Sequence, residues 1–334
     1  MLAETDRNMP SHAQMQRMAA SGTATFDNPA DYQAAIGSTC IKLTLTGGGD
    51  FKARLTWLNL HYLCVVRGRE MLPRIAYISL PPDRAIFSFP TSTTPATWSG
   101  LELRYGDILF RGCGQRTHQW TAGKSQWGLI SLPQEQFAAV AKALTGLEIT
   151  LPPDGRVLRP SRGAATRLLR LHSRVCRLAE TRSELIEKPE IARALEQELL
   201  HALVNCLTKN DANGDLETRR HHADIMVRFE DALSAHVGPQ LNMPELSAAL
   251  GVPERTLRVC CNEFLGMSPS RYHLWRRLNM VRSALQHADP ATASVAAIAR
   301  SYEFFELGRF AATYRIAFGE LPSTTLRRVM LESA

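Results

Sequence analysis

LNMPELSAALGVPERTLRVCCNEFLG, from Leu241 to Gly266, and SVAAIARSYEFFELGRFAATYRIAFG, from Ser294 to Gly319, are two versions of one pattern. Each reads as a short amphipathic helix, a tight turn and a second helix that ends at a glycine. Leu246 aligns with Ile298, 52 residues on, and Leu257 with Phe310, 53 residues on, so the second turn is one residue longer. In the first unit Asn242 is the expected N-cap, Pro244 lies in the first turn, and Glu245 favours the positive end of the helix dipole. Ala248 and Ala249 are small, as close helix approach across a sharp turn requires. Gly251 takes the turn, where a left-handed conformation costs glycine least, and Val252 plugs the core. Helical spacing then turns Leu257, Cys260, Cys261 and Phe264 inward and Arg255, Arg258, Val259 and Asn262 outward. In a helix-turn-helix of this layout the second helix can enter a DNA major groove.

Between the units, SPSRYHLWRRLNMVRSALQHA (Ser268 to Ala288) predicts one long helix of about 28 Å at roughly 1.5 Å per residue. Such a helix can hold two reading helices about one DNA turn apart, roughly 34 Å, on one face of a duplex. The two reading helices are unequal. The second offers Leu307, Gly308, Ala311 and Ala312, with Arg309 its strong donor. Base readout is therefore expected from Arg255, Arg258, Val259, Asn262 and Arg309, and positioning on phosphates from Arg315, Ser268 and Gly308. The turns are expected at Gly251-Val252 and Glu303-Phe304. A bidentate arginine on guanine is worth roughly 1–3 kcal/mol of discrimination; the plainer alternative for each arginine is a phosphate or solvent.

This stretch resembles the DNA-binding domain of the AraC/XylS family of bacterial transcriptional regulators. The resemblance rests on Leu246-Ser247-Ala248, Gly251-Val252, Thr256-Leu257 and Gly266-Met267-Ser268-Pro269 in the first unit. Arg276, Arg277, Leu278 and Ala284-Leu285 match the connecting helix. Ile298-Ala299, Phe310, Tyr314-Arg315, Phe318-Gly319 and Pro322-Ser323 match the second unit. It covers roughly the last hundred residues. Three features depart from the family pattern: Glu303 replaces the usual turn glycine, Cys260-Cys261 replace larger core residues, and the second reading helix is rich in alanine. A non-glycine residue in left-handed geometry costs about 1 kcal/mol. The resemblance implies operator DNA as partner, RNA polymerase contact, activation as the family tendency, and a small-molecule effector.

The N-terminal half has the texture of strands. CIKLTL, FKARLTWLNLHYLCVV, RIAYISL, AIFSF, LELRYGDILF and QWGLISLP are broken by turn signals such as Gly47-Gly48-Gly49-Asp50 and Pro81-Pro82-Asp83. Strands so spaced predict an antiparallel barrel or sandwich, and QEQFAAVAKAL after Pro133 predicts a helix. The region resembles, more loosely, the cupin-type sensing domains of the same family. Trp57, Tyr62, Trp98, Phe110, Trp120 and Trp127, with His118, are the candidate walls of an effector pocket, with ordinary core packing the alternative for each aromatic. The family's metal-binding histidine pair is represented by His118 alone, so no metal or other cofactor is expected.

The expected organisation is α+β. A disordered tail (1–24) precedes a cupin-like domain (25–150). A helical segment (156–208) that dimerises or relays a signal and a linker (209–220) lead to an all-α tandem helix-turn-helix domain (221–332). LPPDG (Leu151 to Gly155) marks the first boundary. Arg167, Arg170, Arg174 and Arg177 form a stripe that is either a solvated face or a second contact for DNA or an acidic partner.

The 334 residues have room for two or three compact units, and the formal charge of +7 permits nucleic acid without demanding it. No lysine follows Lys209, so cationic contacts in the DNA-binding half fall to arginine. Seven cysteines, an odd number with no CxxC, point to neither a disulfide framework nor a zinc module, and so to a reducing cytoplasm. No apolar run approaches the roughly 18 residues of a membrane span, and no secretory signal opens the chain. Two rivals remain beside a regulator: a cupin-type metalloenzyme fused to a DNA-binding domain, using His61, His118, Asp107 or Glu102, and a protein that coats DNA without sequence preference.

Overall fold

A computed structural model describes residues 21–36, 39–152, 155–208, 216–235 and 242–332. The expected α+β architecture is observed. Short runs of alternating and apolar residues form strands β1 (Ser21–Phe26), β2 (Cys40–Leu45), β3 (Ala53–Asn59), β4 (Cys64–Glu70), β5 (Arg74–Ser79) and β6 (Arg84–Pro90). They continue with β7 (Ala96–Trp98), β8 (Leu101–Leu103), β9 (Ile108–Arg111), β10 (Arg116–Thr121), β11 (Ser125–Pro133) and β12 (Arg156–Leu158). Helix α1 (Pro29–Ala35) is capped by Asn28, whose side chain accepts from the Ala30 N–H.

Two antiparallel sheets face each other, one in the order β1-β3-β4-β11-β6-β9-β12 and one in the order β2-β5-β10-β7-β8. The larger sheet separates its residues by parity, as a pleated strand must. Ile130 and Leu132 of β11, with Ala85 and Phe87 of β6, join the core beneath helices α2 (Gln134–Thr145), α3 (Arg162–Thr181) and α4 (Pro189–Thr208). Trp127 and Leu129, with Ile86 and Ser88, turn toward the smaller sheet. His172 locks α3 to the barrel, its Nε2 lying 3.0 Å from the Val66 carbonyl oxygen. Glu180 of the same helix takes the Arg67 guanidinium and the Thr56 hydroxyl.

Several boundaries differ from the sequence expectation. Residues 21–24 belong to β1, which pairs with β3 through six register positions; the rest of the expected tail lies outside the described residues. FKARLTWLNLHYLCVV is two strands, because the chain turns between Leu60 and Leu63, whose backbone groups bond at 2.9 Å. The barrel does not end at LPPDG: β12 returns to pair with β9. Helices α3 and α4 use their apolar faces on the barrel itself, burying Leu168, Val175, Leu199 and Leu203, so these residues are already covered within one chain. The expected linker narrows, since helix α5 (Leu216–Ala235) already covers 216–220, and 209–215 lie outside the described residues.

The C-terminal half is helical throughout its described residues: α5, α6 (Met243–Leu250), α7 (Glu254–Leu265), α8 (Pro269–His287), α9 (Val295–Ser301), α10 (Leu307–Phe318) and α11 (Pro322–Glu332). It has two cores. One gathers Ile225, Phe229, Leu246, Leu257, Cys260, Cys261, Phe264 and Tyr272, and also takes Ile75 and Trp120 from the barrel. The other gathers Leu278, Val281, Leu285, Phe310, Tyr314 and Phe318. The 19-residue α8 supplies both, Tyr272 near its start and Leu278 to Leu285 farther on.

Candidate nucleic-acid interface

The first reading helix is set by its caps. The Asn242 side chain accepts from the Glu245 N–H to start α6, and Gly251 ends it with φ 65°. Val252, nearly buried, closes the turn from beneath while its N–H bonds the Ser247 carbonyl at 3.1 Å. Helix α7 then buries Leu257, Cys260, Cys261 and Phe264. Arg255, Arg258, Val259 and Asn262 are exposed and, with Glu254, surround one shallow concavity. Arg258 Nη2 lies 3.1 Å from Glu254 Oε2, one turn back, whereas Arg255 has no ion pair among the described residues. Val259, 49% exposed, is an apolar contact of the kind a thymine methyl accepts.

The second unit reaches the same turn without glycine. Glu303 has φ 63°, and the neighbouring Phe304 N–H bonds the Ala299 carbonyl at 2.9 Å. The geometry is held from outside by Arg277 of α8. Its guanidinium lies 4.2 Å from the centre of the Phe304 ring and donates to the Tyr302 carbonyl at 2.6 Å. Only the folded chain gives Arg277 this role; in the sequence it is one of four arginines on α8. On α10, Gly308, Arg309, Ala312 and Arg315 are exposed. Ile316, 86% exposed, and Phe305, 66% exposed, join this surface, although the sequence reading named neither. Arg309 lies 3.8 Å from Glu306. Ser268, expected near a phosphate, is the N-cap of α8, accepting from the Arg271 N–H.

The barrel grips both units. At the first, buried Glu230 of α5 meets His118 Nε2 of β10 at 2.9 Å and also accepts from Tyr272 and Arg276. Burial alone would raise the Glu230 carboxyl, but the hydrogen bond and charge of His118, then Arg276 and Tyr272, bring it down to about 2. Arg116 makes a two-pronged bond to Asp231 at 2.7 and 3.0 Å, an exposed pair worth little by itself. At the second unit the β2–β3 turn touches the end of α10. Gly49 N–H donates to the Phe318 carbonyl, Arg282 donates to the Gly49 carbonyl, and Arg328 reaches Asp50. Gly48 must be glycine for this docking: a Cβ there would stand 2.8 Å from the Phe318 carbonyl carbon.

Most of the expected effector walls are placed differently. Trp120 packs in the core of the first reading unit and His118 pairs with Glu230. Trp98 is buried with Leu103 and Leu109, and Trp57 packs beside Leu55 and lies over Gly22. None of the four lines the cavity between the sheets. Of the other expected walls, Trp127 bounds that cavity, together with Ile41, Leu43, Ile78, Arg74, Arg111, Gln119 and their neighbours, whereas Phe110 lies in the core beneath the helices and Tyr62 is exposed. Strand parity is the reason. On β5 and β10, Arg74, Ala76, Ile78 and Gln119 face the cavity, and Ile75, Tyr77, His118 and Trp120 face the DNA-binding half. Among the described residues no group of three or more histidine, cysteine, aspartate or glutamate side chains is gathered as a metal site would require. No described helix is long and apolar enough to cross a membrane.

Residues 246–328 match the model of a family described as a helix-turn-helix domain. The chain is 32% identical over 160 residues to a probable thc operon regulatory protein of Rhodococcus erythropolis, covering 46% of this chain and 48% of that protein. It is 36% identical over 94 residues to a XylDLEGF operon transcriptional activator of Pseudomonas putida, covering 28% of this chain and 29% of that protein. A solved structure, of a probable AraC family transcriptional regulator from Rhodopseudomonas palustris, is 32% identical over 32% of this chain and 97% of that one, with a TM-score of 0.29. The chain thus spans about half, or less, of the length of these curated relatives. With two helix-turn-helix units in tandem on one connecting helix, and these matches across them, the chain belongs to the AraC/XylS family of transcriptional regulators.

Proposed function

We propose that the chain is a sequence-specific regulator of transcription that binds double-stranded operator DNA through α7 and α10 and responds to a small molecule held in its barrel. The observation that carries the reading is the exposed face of α7. Arg255, Arg258, Val259 and Asn262 stand together on a helix whose opposite face is fully buried. Arg255 and Arg258 supply bidentate donors and Asn262 an amide pair for base edges. Arg309 adds a further base contact on α10, while Arg315 positions the chain on phosphates.

Response to an effector is supported by the smaller sheet, which has the cavity on one face and the DNA-binding half on the other. Gln119 and Trp120 are neighbours on β10. The first accepts both terminal nitrogens of Arg74 at the cavity, and the second packs in the core beneath α7. A ligand that prefers one setting of β10 shifts the arrangement of the reading helices by linkage, and operator DNA shifts ligand affinity by the same factor. Two relatives are named as an operon regulatory protein and an operon transcriptional activator, and activation is carried to this chain on that ground; RNA polymerase is the partner that the family resemblance implies.

Selection from a pool of randomised duplexes with the full chain tests the reading. The expected outcome is one enriched sequence with two sub-sites about 10 base pairs apart. Binding without enrichment, equal on every duplex at fixed salt, would make the chain a DNA-coating protein instead.

A further inference from the structure

The cavity between the two sheets has walls of Ile41, Leu43, Ala76, Ile78, Leu129 and Trp127, and three charged groups, Glu70, Arg74 and Arg111. Two of the three cancel. Arg74 Nε donates to Glu70 Oε2 at 2.7 Å. Glu70 is otherwise saturated, accepting from Ser125 at 2.8 Å, Tyr32 at 2.9 Å and Trp127 at 3.0 Å. Burial pushes its carboxyl up, but Arg74 and these donors hold it below the ordinary value. The third is uncompensated. Arg111 is 4% exposed, and its Nε donates to Ser88 Oγ at 3.0 Å. It has no ion pair with a carboxylate among the described residues. Burial, reinforced by the charge of Arg74, lowers its pKa to about 10, which leaves it cationic at neutral pH.

A buried charge without a partner costs several kcal/mol, so such groups are ordinarily paired. A guanidinium whose terminal nitrogens take no carboxylate among the described residues offers the fork that a carboxylate fits in two parallel bonds. We propose that the barrel cavity is the site of an apolar monocarboxylate, whose carboxylate pairs with Arg111 and whose hydrocarbon body lies along Ile41, Leu43, Ile78 and Trp127. This rests on the reading of the barrel as the effector-holding domain and names the effector's chemical class.

Charge decides against the neighbouring classes. Arg74 and Arg111 against Glu70 leave one net positive charge, which one carboxylate neutralises. A phosphate monoester, mostly dianionic at neutral pH, would leave a buried negative excess, and a neutral polyol would leave Arg111 unpaired against apolar walls. Size points to a slim ligand. The cavity volume is about 50 Å³. At 10–15 Å³ per water that is room for roughly four waters before any side chain moves.

The test is calorimetric titration of the full chain with hexanoate, octanoate, phenylacetate and 2-naphthoate, each beside its primary amide, and with hexyl phosphate. At least one acid is expected to bind one to one, about ten- to a hundredfold tighter than its amide. In Arg111→Gln that preference should collapse toward one, while ligand-free operator binding stays as in the parent. The acid-to-amide ratio in the unaltered chain decides even where the variant does not fold. The assignment is overturned if amide and acid bind alike, if hexyl phosphate binds tighter than the acids, if the preference survives in Arg111→Gln, or if no acid binds. A neutral ligand that enters the barrel and alters operator affinity would sink the carboxylate and keep the effector reading. Barrel ligands that bind without altering operator affinity would sink the effector reading and keep the carboxylate.

Discussion

Asn279 of α8 closes the free edge of β2 by taking both main-chain groups of Leu45: its Oδ1 accepts from the Leu45 N–H at 3.0 Å and its Nδ2 donates to the Leu45 carbonyl at 2.9 Å. β2 is the outer strand of the five-stranded sheet, and an edge strand leaves a row of unpaired backbone groups. One amide side chain on the connecting helix therefore acts as the next residue of the sheet and ties the DNA-binding half to the barrel. Asn279→Ala leaves both groups of Leu45 without this partner and should destabilise the junction by about 1–3 kcal/mol. Calorimetric unfolding should then resolve into separate barrel and DNA-binding transitions. A single transition unchanged in position would show that the junction draws its strength elsewhere.

Glu303→Gly should stabilise the second reading unit. The φ of 63° is strained for a glutamate and unstrained for glycine, a difference of about 1 kcal/mol. The gain is reduced by the lost attraction of the Glu303 carboxylate for the half-buried Arg277 guanidinium. A rise in melting temperature checks it. A fall would mean that the attraction to Arg277 outweighs the backbone strain.

His172 makes the barrel sensitive to mild acid. Burial holds it down to about 4, below the ordinary 6.5; its bond to the Val66 carbonyl works against that shift and the Arg67 charge adds to it. It is neutral in the folded state, so the stability it protects is complete above pH 6.5 and falls as the unfolded chain takes up a proton between pH 6.5 and 4. A difference of that size corresponds to about 3 kcal/mol as an order of magnitude. Urea unfolding midpoints should decline across this window, and His172→Gln should flatten the decline. A variant that keeps the parent slope would place the acid-sensitive group elsewhere.

Arg258→Ala and Arg315→Ala should differ in kind. The first stands on the face of α7 beside Arg255 and should cost about 1–3 kcal/mol at one operator position while relaxing preference there. The second, exposed near the end of α10, should weaken binding evenly across sequences and reduce the slope of log affinity against log salt by about one. Binding curves on single-base operator variants at several salt concentrations distinguish the two. Even loss for Arg258→Ala would make it a phosphate contact.

The tandem reading units were legible in the sequence because everything that forms them is local. Asn242, Gly251, Pro253, Gly266 and Ser268-Pro269 set the ends of α6, α7 and the start of α8, and helical spacing sorts Leu257 from Arg258 without knowledge of any partner. Even the strained Glu303 could be placed by aligning one unit on the other. The barrel was legible as a kind of fold, strands and turns, but not as a site. Ile75, Ala76, Tyr77 and Ile78 are all buried, so β5 shows no alternation to say which residues face the cavity and which the DNA-binding half. The same ambiguity separates Gln119 from Trp120. That Arg111 meets no carboxylate among the described residues while Arg74 meets Glu70, that Asn279 completes β2, and that Gly48 lies against Phe318 depend on residues far apart in the chain. Sequence by itself determined the two helix-turn-helix units and their exposed faces, because a helix carries its own pattern. Tertiary structure alone decided which barrel residues line the cavity and which meet the DNA-binding half, because a strand buried on both faces takes its meaning from what packs on either side.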